Sequence, residues 1–179
     1  HEQEHFVTLL RDLCAGIPQP IQTFGRPRLP LADVVFSSVY KVYSTMSTRR
    51  FMSDLRVAET NELIAKAPSC ASNYRSLENP ELTRLLKDLI EQSASPLKAV
   101  ETDFAVDSTG FASTTYNRWF DKKWGKQMSE ARWIKTHLIC GVKTHIVASV
   151  EATATETADS PQLPALVNAT AQTFNINEV

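Results

Sequence analysis

The stretch Thr102–Phe111, TDFAVDSTGF, decides how the second half of this chain is interpreted. Phe104 and Val106 alternate with Asp103, Ala105 and Asp107, and this period of two predicts a strand that Ser108-Thr109-Gly110 then breaks. The pattern places Asp107 near the end of a central strand. A carboxylate there is a candidate metal ligand, although many such aspartates simply accept turn amides.

The composition is that of an ordinary globular protein. The chain has 179 residues, is 42% hydrophobic and carries a formal net charge of -1, which allows one or two domains with a real core. It contains no run of about 18 apolar residues and no basic-then-apolar start, so we expect no membrane association and a cytoplasmic location. The three cysteines are scattered without a CxxC pair, so neither a disulfide framework nor a zinc site is indicated.

Residues 1–98 predict a helical N-terminal region that is a candidate for DNA binding. Helical spacing of apolar residues predicts a helix over 5–13 and another from Leu31. A short helix follows Ser47 as its N-cap, and Asn79-Pro80-Glu81 begins a further helix. Residues 68–77 between them are predicted as a loop. Two short helices separated by a polar turn resemble a helix-turn-helix in outline, with arginines 49, 50 and 56 facing solvent or phosphate. Most helical hairpins of this kind only pack together.

Residues 99–179 predict a sheet region that contains a basic, aromatic-rich run. Residues 116–143 carry seven lysines and arginines against two acids, interleaved with Tyr116, Trp119 and Phe120. Such a run suits phosphates and splayed bases, and a solvated hairpin is the alternative interpretation. The predicted DNA-binding residues are Arg118, Lys122, Lys123, Lys126 and Lys135.

A hairpin and a helix complete the predicted order. Residues 133–142 and 144–153 predict two antiparallel strands joined at 141–144, and their alternation places Lys135 and His137 on one face, with His137 as a structural histidine. Asp159 then predicts the N-cap of a helix, and a last strand begins at Ile176. The order is strand, strand, strand, helix, strand.

This order, with an Asp on its first strand, resembles the front half of a ribonuclease-H-like fold of the α/β (α+β) class. The segments AVDSTGF, RWFDKKWGK, RWIKTHLICGVKTHIV and DSPQLPALV are similar to those of a DDE-type insertion-sequence transposase. The resemblance implies DNA transposition by two-metal phosphoryl transfer with Mg²⁺ or Mn²⁺, DNA ends and target as partners, and a homodimer. It also implies that residues 99–179 form the first part of the catalytic domain.

The resemblance carries over only one catalytic, metal-binding residue, Asp107. It places the second Asp a few residues beyond Val179 and the Glu on a later helix, so the sequence is expected to be a fragment that is inactive alone. Asp159 matches the segment that enters a helix in the family, so the resemblance does not make it a metal ligand. Two other classes stay open from the residues themselves, namely a non-catalytic DNA-binding protein and a plain α/β interaction domain.

Overall fold

The computed structural model describes residues 1–25, 27–112, 133–154 and 157–179. Its architecture is mixed α+β, as predicted, with helices first and a small sheet after them. The helices of the first half are α1 (Glu2–Ala15), α2 (Leu31–Ser44), α3 (Thr48–Thr60), α4 (Cys70–Leu77) and α5 (Pro80–Ala94). The second half contains β1 (Phe104–Ala112), β2 (Trp133–Gly141), β3 (Val147–Ala154) and α6 (Leu163–Ala171), with 3-10 turns at Ser95–Leu97 and Ser160–Gln162.

The chain divides into two compact units, residues 1–89 and 90–179. The division lies inside α5, before the boundary at 98/99 that the sequence predicted. Each unit has its own apolar core, and that of the first is centred on α2 and α3, where Phe36, Phe51 and Leu55 are fully buried. The apolar spacing in α3 therefore predicted its buried face correctly, and its arginines at 49, 50 and 56 are exposed.

The helix ends show where local signals were sufficient and where they were not. Asn79 accepts the N–H of Glu81 at 3.1 Å and begins α5 as predicted. The predicted loop at 68–77 is wrong, because α4 forms there. Ser69 caps α4 by accepting the N–H of Ser72 at 3.1 Å, and Asn73 of this helix is buried inside the first unit. Ser47 precedes α3, but its side chain makes no cap bond.

The sheet of the second unit is antiparallel with the strand order β1-β2-β3. The predicted hairpin of β2 and β3 is confirmed. In the β1–β2 register, Asp107 lies opposite Leu138 and Ser108 lies opposite His137. One face of the sheet packs against α6, where the Oγ of Ser149 donates to the carbonyl of Leu166 at 3.1 Å. The core on this face consists of Ala94, Phe104, Ile139, Ala148, Leu166 and Phe174.

The predicted position of Asp107 near the end of a central strand is wrong for the three-stranded sheet. Ser108-Thr109-Gly110 do not break the strand, since β1 stays extended and paired with β2 as far as Ala112. Asp107 is therefore an interior residue of β1, and β1 is an outer strand of that sheet. On the other edge of β1 the structure places one parallel bridge between Asp103 and Glu178, within the segment from Ile176 that was predicted to begin a strand.

A buried carboxylate fixes the turn between β2 and β3. Glu101 is fully buried, and its Oε2 accepts the N–H of Thr144 at 2.8 Å, the hydroxyl of Thr144 at 2.8 Å and the N–H of Lys143 at 3.2 Å. Burial alone would raise the pKa of Glu101, but these donors and the charge of Lys143 lower it overall. A Cβ at Gly141 would meet the Glu101 side chain, so glycine is required here for close approach.

Candidate functional site

Asp107 lies on the face of the sheet opposite to α6. Val106 pairs with Ile139 across β1 and β2, so both side chains lie on the face that packs against α6. Side chains alternate along a strand, so that of Asp107 points to the other face. Its side chain is exposed, and Oδ1 accepts the N–H of Ser108 at 2.7 Å. Among the described residues no ion pair engages this carboxylate. The side chain is therefore accessible to a cation from solvent.

Cys140 is the titratable neighbour of Asp107 on that face. It lies opposite Ala105, one diagonal step from Asp107 along β1. Burial raises the pKa of the Cys140 thiol, and the nearby negative charge of Asp107 raises it further. The thiol therefore stays protonated near neutral pH and does not add a second anion beside Asp107.

A polar cluster occupies the α6 side of the sheet. It consists of Ser108, Lys135, His137, Thr153 and Asp159. Oδ1 of Asp159 lies 2.6 Å from Nζ of Lys135 and 3.1 Å from Nδ1 of His137. The other ring nitrogen of His137, Nε2, lies 2.9 Å from Oγ1 of Thr153. His137 is buried, and both of its ring nitrogens are bonded, which is the structural role predicted for it.

Asp159 does not act as the predicted side-chain N-cap. It precedes the 3-10 turn Ser160–Gln162, but its carboxylate makes no bond to that turn. The hydrogen bond from Lys135 lowers the pKa of Asp159 most, and it outweighs the opposing effect of burial with the help of a bond from Ser108 and the charges of Lys135 and His137. The carboxylate thus ties the segment before α6 to β2.

Of the predicted DNA-binding residues, only Lys135 falls in the described part of the chain, and it does not lie beside Asp107. Lys135 lies on the α6 face, where it pairs with Asp159 and donates to the carbonyl of Thr157 at 3.3 Å. Arg118, Lys122, Lys123 and Lys126 lie outside the described residues, as do Tyr116, Trp119 and Phe120. Lys135 is therefore engaged within the second unit, on the face away from Asp107.

The described residues contain no group of three or more His, Cys, Asp or Glu side chains placed to hold a metal ion. Asp107 supplies one carboxylate, which by itself is not a sufficient donor set for Mg²⁺. Sequence reasoning missed the pairing of Asp159 with β2. The available signal was the shared face of Lys135 and His137, but only tertiary packing identifies the acid that meets them.

Comparisons with models of protein families, with curated proteins and with solved structures gave no match. Within the described ranges, no helix is both long and apolar enough to cross a membrane.

Proposed function

We propose that this chain is part of a DDE-type DNA transposase in which Asp107 is one carboxylate of a two-metal phosphoryl-transfer site. The resemblance of AVDSTGF and KTHLICGVKT to that family motivates the proposal. Mg²⁺ or Mn²⁺ would be the metals, DNA ends and target the substrates, and a homodimer the working form. The assignment of the sheet to a ribonuclease-H-like fold is part of the same proposal.

The observation that carries the proposal is the course of the chain around β1. Three antiparallel strands are followed by α6, and the chain then returns beside the start of β1 in the parallel direction, through the bridge between Asp103 and Glu178. Two backbone bonds hold it there: Asn177 N–H to the carbonyl of Thr102 at 2.9 Å, and Phe104 N–H to the carbonyl of Glu178 at 3.0 Å.

This return supports a site at Asp107 for a geometric reason. A parallel neighbour that continued from Glu178 would advance along β1 toward Asp107, at about 4.8 Å between strands. The second acid that the resemblance places a few residues beyond Val179 would then lie level with Asp107. Two carboxylates at that separation suit metals about 3.5–4 Å apart, which clamp the attacking and leaving oxygens of a phosphate.

The test is a nicking assay with supercoiled DNA in Mg²⁺ or Mn²⁺. It compares the 179-residue chain, a chain extended by the downstream coding sequence, and the extended chain with Asp107→Asn. We expect cleavage only by the extended chain with Asp107, because asparagine keeps the shape and removes the charge that holds the metal. Asp107 is exposed, so the substitution should leave the melting temperature within about 1 °C, a small surface effect.

Four outcomes would contradict the proposal in different ways. Robust Mg²⁺-dependent cleavage by the 179-residue chain would show that the site is elsewhere. Full activity of the Asp107→Asn variant would remove Asp107 from it. DNA binding by the extended chain without any cleavage would assign the protein to the non-catalytic DNA-binding class, and absence of DNA binding would leave an interaction domain.

A further inference from the structure

The first unit contains a large open groove that is lined by residues of that unit. The groove has a volume of about 1210 Å³ and lies between the proline loop (residues 17–30, with Arg26 outside the described residues), α2, α4 and the start of α5. We call it the basic groove. Small-molecule sites usually measure about 300–1,000 Å³, so its size suits an extended ligand better than a compact one.

The charges of the basic groove contrast with those of the whole chain. Among the described residues, Arg28, Lys66 and Arg75 line it against one acid, Glu81, whereas the 179 residues together have a formal net charge of -1. The three cationic side chains are exposed, and none has an ion-pair partner in the described part of the chain. The groove is therefore a local positive site.

The backbone on two sides of the groove is held by hydrogen bonds. The proline loop is closed by two glutamines: Gln19 Oε1 accepts the N–H of Leu31 at 2.6 Å, and Gln22 Oε1 accepts the N–H of Arg28 at 3.0 Å. On the opposite wall, the N–H of Lys66 donates to the buried carboxylate of Asp33 at 2.9 Å. The backbone at Arg28 and at Lys66 is thus held by hydrogen bonds within the protein.

The chemistry of the lining favours phosphates. Arg75 shares its side of α4 with Ser69, Ser72 and Ser76, whose hydroxyls already bond within the first unit. The groups that would bind phosphate oxygens are therefore the Arg and Lys side chains. Aliphatic side chains, including Leu31 and Leu82, line the rest of the groove, where the sugars of a strand could rest. The described residues that line the groove include no aromatic side chain on which bases could stack, so their contacts would be to the backbone of a strand.

We infer that the basic groove binds the sugar–phosphate backbone of a DNA strand through Arg28, Lys66 and Arg75. This inference rests on the proposed function, since it locates in the first unit a DNA contact that is independent of Asp107. Each phosphate that the groove neutralises releases condensed counterions, so binding through it weakens as salt rises.

The experiment measures fluorescence anisotropy of labelled 20-mer DNA, single-stranded and duplex, from 50 to 200 mM KCl. For Arg28→Ala with Arg75→Ala, we expect the slope of log affinity against log salt to fall by about 1.8 for the duplex and about 1.4 for the single strand. The matched control is Arg84→Ala with Lys98→Ala, which removes the same charge from exposed residues outside the groove. We expect the control to retain the wild-type slope.

A second variant, Arg28→Lys with Arg75→Lys, keeps both charges and should keep the slope, which separates lost contacts from misfolding. Equal slope changes in the groove and control variants would overturn the inference while DNA binding stands. Binding of poly-glutamate in place of both DNAs would assign the groove to an acidic peptide and also overturn it. Failure of the wild-type chain to bind any DNA would count against both this inference and the proposed function.

Discussion

Replacing Gly141 by Ala tests the way in which Glu101 fixes the sheet. The added Cβ would occupy the space of the Glu101 Cγ and carboxylate group. Glu101 cannot move aside without breaking its bonds to Thr144 and Lys143, which hold the β2–β3 turn. Overpacking of this kind costs about 1–3 kcal/mol in the free energy of unfolding. For a chain of this size, 2 kcal/mol corresponds to a melting temperature lower by roughly 4–8 °C.

The assay is thermal unfolding followed by circular dichroism, with urea unfolding as a second measure. Gly16→Ala is the matched control, because Gly16 has an ordinary helical conformation and the nearest heavy atom to an added Cβ is 3.9 Å away. Its effect should stay within about 0.5 kcal/mol. In a Glu101→Ala background the Gly141→Ala substitution should lose most of its cost, since the clashing side chain is gone.

Two results would refute this reasoning. A Gly141→Ala variant as stable as the Gly16→Ala control would show that the turn accommodates a Cβ without strain. An undiminished cost of Gly141→Ala in the Glu101→Ala background would show that the clash is with other atoms.

Two further predictions concern the polar cluster and the helical core. Asp159→Asn should lower the melting temperature at pH 7. The folded pKa of Asp159 lies below its ordinary value of 3.8, so the difference in melting temperature between wild type and variant should be complete above that value and vanish as pH falls through the folded pKa. A difference that persists in acid would contradict the ion-pair explanation. Leu55→Ala removes a fully buried side chain and should lower the free energy of unfolding in urea by about 2–5 kcal/mol. Val57 is 57% exposed on the same helix, so Val57→Ala should change it by less than about 0.5 kcal/mol. Similar losses for both variants would contradict the assigned buried face of α3.

Local sequence patterns determined much of the secondary structure. The 3.6-residue spacing that includes Phe51 and Leu55 identified the inner face of α3, because a helix buries one stripe of side chains. Asn79-Pro80-Glu81 identified the start of α5, because the cap bond is made between residues close in the chain. Alternation in 133–153 likewise predicted the hairpin of β2 and β3.

The contacts around the candidate site depended on residues far apart in the sequence. No local pattern predicts that Glu101 accepts N–H groups more than forty residues later in the chain, or that Asp159 pairs with Lys135 instead of capping its own turn. The helix α4 likewise forms in a short polar stretch that was predicted as a loop, with Ser69 as its cap and Asn73 buried. The sequence by itself therefore determined most of the helices and the β2–β3 hairpin, missed α4 and the full length of β1, and nominated Asp107. Only the tertiary structure decided that Asp107 is exposed on an outer strand with Lys135 on the opposite face, because strand register and packing fix which side chains meet.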